Sequence, residues 1–274
     1  MGTSTSSKGP GPGVPMVPPW ADPPNSDVPN VDIDADDPPK PQRSVPPSPV
    51  APNRRFANSR VSMGSFARTG DTNDLRGGLK GYVSKGYGGA STATRRMGGT
   101  AQIASVLSDA LSTGQSSSAS NDQSGSESTE RVNSADEVIS QIVEAVAPVD
   151  GSQDSEVSRE SIREVLSEVI EEHPDTDLLD LDDDARQSVV EKYIATDIYR
   201  RIVLDIGKKI QDASPSAKVG LQRLRQVKDY VRSTVKSAFR TAGSSGASSA
   251  SANMSKIASN TIKTTFEVFE SYAK

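Results

Sequence analysis

From residue 134 onward, apolar residues recur at three- and four-residue spacing in five separate stretches, and no stretch of the chain alternates apolar with polar. The stripes are Val138, Ile139, Ile142, Val143 and Val146; then Ile162, Val165, Leu166, Val169 and Ile170; then a long one from Val189 through Tyr193, Ile194, Ile198, Ile202 and Ile206 to Ile210. Leu221, Leu224, Val227, Val231, Val235 and Phe239 form the fourth, and Met254, Ile257, Ile262, Phe266 and Phe269 the fifth. A 3.6-residue period places each set on one face of a helix, and each face needs an apolar partner. The boundaries agree. Ser134-Ala-Asp-Glu137 reads as a capping box, Pro148 and His173-Pro174 as stops, Asp182-Asp183-Asp184 as a helix start, and Ser214-Pro215 as a cap followed by a first-turn proline. The expected fold is all-α, a helical bundle over residues 134–274.

The first half of the chain reads differently. Of its 18 prolines, 15 lie in residues 1–52, and this stretch dilutes the hydrophobic fraction to 33%. Residues 1–60 are expected to be a disordered Pro/Ser/Asp-rich arm without the apolar period a core requires. Residues 61–113 are Gly-rich and basic with two helices. One is expected over Asp71–Lys85, weakened by Gly77, Gly78 and Gly81. The other starts near Ser91 and ends in Ile103, Val106, Leu107, Ala110 and Leu111. Residues 114–133 read as a Ser-rich linker. The net charge of −5 hides a sharper pattern. Residues 40–100 carry +9, residues 121–197 carry −17 and residues 198–274 carry +9, so an acidic middle can fold back on basic flanks.

Several chemistries are excluded. The chain has no cysteine and one histidine, which removes disulfides, thiolate nucleophiles, Cys-ligated metals and multi-histidine metal sites. Asp175 to Asp184 superficially resembles a calcium loop, but Asp180 and Arg186 stand where an EF-hand needs Gly and Glu, so an acidic turn before a helix is expected. Gly77 to Gly89 lacks the spacing of a phosphate-binding loop, and His173 reads as a helix-end residue. No catalytic residue, cofactor or metal is therefore expected, and the chain is not expected to be an enzyme. No apolar run is long enough to span a bilayer and no secretory leader is visible, so the expected location is cytoplasmic.

Two segments carry functional signals. In residues 54–96, Arg54, Arg55, Arg60, Arg68, Arg95 and Arg96, with Arg76, Lys80 and Lys85, are interleaved with Phe56, Phe66, Tyr82 and Tyr87. Cations beside stacking aromatics suit single-stranded nucleic acid, while docking of the segment on the chain's own acidic helices is the preferred reading. At the N-terminus, removal of Met1 leaves Gly2 as a small α-amine terminus, and Gly2 with Ser6 also fits the loose pattern for myristoylation. Pro12, Pro15 and Pro18 recur every third residue, the period of a polyproline II helix, and Pro19 leads into Trp20, the only tryptophan. An isolated tryptophan in a polar tail suits an anchor in a partner's pocket.

The run Gly2-Thr-Ser-Thr-Ser-Ser-Lys-Gly-Pro10, followed by Val17-Pro-Pro-Trp20, resembles the QatB family of the prokaryotic Qat anti-phage defence system. The resemblance implies a defence protein without enzymatic activity of its own. It also implies a partner, a QatC-like (QueC-related) enzyme similar to those that amidate 7-carboxy-7-deazaguanine with ATP. On that footing the arm is expected to be the partner's substrate. Gly2 is the modified residue, and Gly2, Thr3, Ser4, Thr5, Ser6, Ser7, Lys8, Gly9 and Pro10 thread the partner's channel. Pro12, Pro15, Pro18, Pro19 and Trp20 dock outside it. An α-amine with a pKa near ~7.7–8 is nucleophilic at neutral pH, unlike lysine at ~10.4. At ~3.1 Å per residue, Gly2 to Pro10 reaches roughly 25–28 Å.

Overall fold

The computed structural model describes residues 13–17, 50–112, 134–244 and 250–272. Among them the only extended pairing is an isolated antiparallel bridge between Pro15 and Val50. The other regular elements are helices, as the spacing requires. The helices are α1 (Ala57–Thr69), α2 (Thr72–Gly81), α3 (Ala90–Arg96), α4 (Gly98–Ala110), α5 (Ala135–Val146), α6 (Gln153–Glu172), α7 (Asp183–Ile202), α8 (Lys208–Ala213), α9 (Ala217–Ser244) and α10 (Ala250–Ser271).

The expected caps mostly hold. Glu137 N donates to Ser134 Oγ at the start of α5, and Ala185 N donates to Asp182 Oδ1 at 2.8 Å at the start of α7. One cap moves. Ser214 is tied back to the end of α8 through its hydroxyl to Ile210 O at 2.7 Å, and Val219 N instead finds Ser216 Oγ at 3.3 Å, so α9 begins two residues later than Ser214-Pro215 suggests. The acidic turn before α7 buries Leu178 and Leu181, with Leu181 N donating to Leu111 O at 3.2 Å.

The first helix lies partly outside the segment where folding is expected. It begins at Ala57, and Ala51 and Phe56 before it are buried as well. Its inner face is Ser59, Met63, Phe66 and Ala67, a spacing that packs on α2 and α8. The glycines of α2 do not simply weaken it. A Cβ at Gly81 would sit 3.1 Å from Ser59 N and 3.2 Å from Ser59 Cα, and Ser59 Oγ donates to Gly78 O at 2.7 Å. They let two helix backbones approach closely.

Two π-helical turns interrupt the helical runs, one at Tyr82–Gly86 after α2 and one at Val203–Gly207 between α7 and α8. The expected helix over Asp71–Lys85 thus ends in a widened turn, and the expected run to Ile210 continues through one. α10 packs on α9, α4 and α3, while α7 packs on α6, α9 and α4. Residues of 56–111 and of the C-terminal helices share one buried cluster, in which Phe66, Leu79 and Leu107 lie with Tyr193, Val231 and Phe266.

The charge blocks also meet. Glu164 of α6 pairs with Lys228 of α9 and, at 2.7 Å, with Arg200 of α7; Glu168 pairs with Arg232 at 2.6 Å and Lys192 at 3.3 Å. Lys192 also reaches Glu172 at 2.8 Å. This ladder ties the acidic middle to the basic end along α6, α7 and α9.

Candidate functional site

Three places bear on function: the root of the N-terminal arm, the basic aromatic segment, and a buried ionic network beside a cleft.

Most of the expected partner-binding residues (Gly2, Thr3, Ser4, Thr5, Ser6, Ser7, Lys8, Gly9, Pro10, Pro12, Pro18, Pro19 and Trp20) lie outside the described residues. Pro15 is described, and a straight polyproline edge does not run through it. Gly13 turns the chain with φ +88°, a conformation that glycine adopts freely. Ala51 N then donates to Val14 O at 2.9 Å and Gly13 N to Ala51 O at 3.2 Å. Pro15 stays exposed, whereas Met16 and Val17 are buried in the chain's own body, 5% and 1% exposed. Burial of two apolar side chains outweighs the proline rhythm here, since each is worth about 1.5–3 kcal/mol. Met16 lies over the Gly88 turn, where a Cβ would meet its Sδ at 3.7 Å.

In the basic segment the four aromatics point inward. Phe56, Phe66, Tyr82 and Tyr87 are all buried, and Phe56 stacks on Tyr82 with ring centroids 5.3 Å apart. The stacking half of a nucleic-acid reading therefore has no surface. The tyrosine hydroxyls donate to Asp205 Oδ2, Tyr82 at 2.9 Å and Tyr87 at 3.0 Å, so the first π turn and its cap face the carboxylate of the second. Burial pushes the Asp205 carboxyl above its ordinary value despite these donors and nearby Arg55, and burial pushes both tyrosines up as well. Arg55 lies over Phe56 at 4.5 Å and over Tyr87 at 5.3 Å, and Arg60 Nη2 donates to Asp205 O at 2.9 Å. Arg54 and Arg68 are exposed and Arg95 is half-buried. Arg96 pairs with Asp154 at 2.6 Å.

That pair opens onto the network. Asp197 of α7 is fully buried and accepts from Thr100 Oγ1 of α4 at 2.6 Å, Ser158 Oγ of α6 at 3.0 Å and Arg201 Nε at 3.0 Å. Arg201 Nη1 donates to Asp154 Oδ1 at 2.7 Å, so Asp154 is clasped between Arg96 and Arg201. Burial works against the Arg201 charge, but Asp197 and Asp154 overcome it and hold the guanidinium more firmly protonated than usual. The network knits α3, α4, α6 and α7. Beside it lies a cleft of about 380 Å³ whose lining includes Arg96, Asp154 and Arg201 together with Ile103, Val146 and Pro148.

No motif in the sequence marks this network as a whole. Its signal was an Asp–Arg pair, i and i+4, inside the apolar stripe of α7.

Among the described residues, no cluster of three His, Asp or Glu is placed to hold a metal ion, and no helix is long and apolar enough to cross a membrane. His173 is the C-cap of α6, its N–H donating to Val169 O at 2.8 Å. No curated protein and no solved structure matches the chain. A family model described as "Qat anti-phage system associated protein QatB" matches residues 88–269, about two thirds of the chain and every residue of the ionic network. The chain belongs to the QatB family of Qat anti-phage system associated proteins.

Proposed function

We propose that this component of the Qat anti-phage system performs no chemistry of its own and acts in the cytoplasm as the protein substrate of a QatC-like (QueC-related) deazaguanine enzyme. Its N-terminal arm enters that partner's active site, and the helical body mediates assembly with the partner and other components. Family membership across residues 88–269 supports the place in the Qat system, and the resemblance of Gly2 to Trp20 supports the part given to the arm. The body fits the role: its buried polar groups tie helices to one another, and the aromatics of the basic segment, with Arg55, Arg60 and Arg96, are engaged in internal contacts.

In the proposed step, ATP activates the 7-carboxylate of the deazaguanine. The unprotonated Gly2 α-amine attacks the activated carbon, a C–N amide bond forms as the phosphate-derived leaving group departs, and the amine's surplus proton passes to solvent. Glycine suits the position because it has no Cβ to obstruct the attack. Thr3, Ser4, Thr5 and Ser6 supply hydroxyls for the channel walls.

The test is deletion of residues 2–10 in cells carrying the whole system. Loss of phage protection and of co-purification with the deazaguanine enzyme is expected. Immunity and assembly at the level of the intact chain would contradict the reading.

A further inference from the structure

We infer that the cleft beside the ionic network is a docking site for a peptide segment of another protein. That segment inserts a large apolar side chain and lays a backbone carbonyl on Arg201. The site gives a surface to the assembly role proposed for the helical body, and rests on that reading for which protein supplies the segment.

Arg201 is 8% exposed and lines the cleft. Its Nε donates to Asp197 at 3.0 Å and its Nη1 to Asp154 at 2.7 Å, which leaves Nη2 without a partner among the described residues. A buried guanidinium is costly to leave short of acceptors, so these unfilled N–H groups mark a place for an acceptor that the described chain does not supply. The same lining carries Ile103, Val146 and Pro148. Few polar groups on an apolar lining are the usual make-up of a binding pocket, and about 380 Å³ is at the small end of the range for such pockets. That is room for one large side chain with its flanking peptide groups.

Gly99 keeps the cleft open. It stands in the first turn of α4, its φ is not positive, and a Cβ there would meet nothing within 4 Å. Neither backbone conformation nor crowding calls for glycine, which weakens a helix relative to alanine. Gly81 of α2 is the contrast, since a Cβ there would meet Ser59 N at 3.1 Å. At Gly99 the missing side chain leaves space on the lining of the cleft.

Charge decides which acceptor fits. Arg96 and Arg201 are answered by Asp154 and Asp197. Asp150, also on the lining, accepts from Ser152 N at 2.7 Å, and the Ser152 donors hold its carboxyl below the ordinary value. Two guanidiniums therefore meet three carboxylates. A ligand carboxylate or phosphate would add to a surplus of negative charge, whereas a neutral carbonyl fills the place at Nη2 without doing so. An amide carbonyl next to a large apolar side chain is what a peptide segment presents. An aromatic ring suits this lining best, because it packs on aliphatic side chains and also lies favourably over a guanidinium such as that of Arg96.

NMR titration of the isotope-labelled full chain with N-acetyl-phenylalanine methylamide tests this. Shifts are expected at the Gly99 and Ser155 amides and at Arg201 Nε. N-acetyl-phenylalanine, which carries a free carboxylate, is expected to bind about tenfold more weakly, and N-acetyl-glycine methylamide to leave the spectrum unchanged. Gly99→Phe fills the cleft from an uncrowded position. It is expected to keep the helical content, to abolish the probe's shifts at Ser155 and Arg201, and to lose co-purification of at least one other component of the system. Gly99→Ala is expected to keep both. No shift in the natural chain, a carboxylate probe that binds as tightly as the amide, or shifts with the glycine probe would overturn the inference. So would probe binding or full co-purification that persists in Gly99→Phe, or loss of either in Gly99→Ala. A natural chain that an active deazaguanine enzyme leaves unmodified would sink the proposed substrate role instead, and the titration would still decide the cleft.

Discussion

Asp197 is buried among Tyr193, Ile194 and Ile198, and accepts from three different side chains. A buried carboxylate with that many donors is favourable only while its arginine is present, and the reverse holds for Arg201. Asp197→Ala removes the charge and leaves the guanidinium with Asp154 alone. The expected cost is about 3–5 kcal/mol, read as a lowered urea midpoint. Removing one donor, Thr100→Val, is expected to cost about 1–3 kcal/mol, because it leaves a bonding site of the carboxylate unfilled. The i, i+4 pair was visible in the sequence, since two charged residues interrupt an apolar stripe. Its partners were not, because Thr100 is 97 positions away from Asp197 and Ser158 is 39. Hydroxyls carry no periodicity that would reveal such distant pairing.

Helices with strong stripes were legible almost to the residue, as with α5 from Ser134 and α6 to His173. Misreadings arose where small residues do the packing. α1 hides its inner face behind Ser59 and Gly64, which do not register as apolar. The glycines of α2 look like a defect, whereas they allow contact with α1. Gly81→Ala gains about 1 kcal/mol of helix propensity but drives a Cβ against the Ser59 backbone, for a net loss of about 1–2 kcal/mol in a thermal melt. The π turns, which bring Tyr82 and Tyr87 to Asp205, leave no pattern in a 3.6-residue reading.

The α6–α7–α9 ladder has its own signature. Burial alone would raise Glu164 and Glu168, yet Lys228 and Arg200 on the first, and Arg232 and Lys192 on the second, bring both below the usual 4.5. Depressed carboxylates stabilise the fold above their unfolded pKa and lose that contribution as pH falls through the folded value. Urea midpoints are therefore expected to drop below about pH 4.5, and Glu164→Gln with Glu168→Gln to flatten part of that drop while lowering the plateau at neutral pH.

Over the whole molecule, two lines of recognition meet at different ends. The family resemblance was carried by Gly2 to Trp20, whereas the matched segment is residues 88–269. The all-α body could be read from periodicity and the self-neutralising charge from its blocks. The arm's return to the body could not, because Met16 and Val17 are two apolar residues in a proline-rich stretch with no repeat to mark them. What emerges is a helical body that holds residues 13–17 against itself, and the proposed role assigns the residues before them to a partner enzyme. Intact-mass analysis of the chain produced together with an active deazaguanine enzyme tests this most directly. Met1 is expected to be absent and a single deazaguanine acyl group to be added, located by fragmentation at Gly2 and missing when the enzyme is inactivated. An unmodified chain beside an active enzyme, or the group on a lysine, would contradict it.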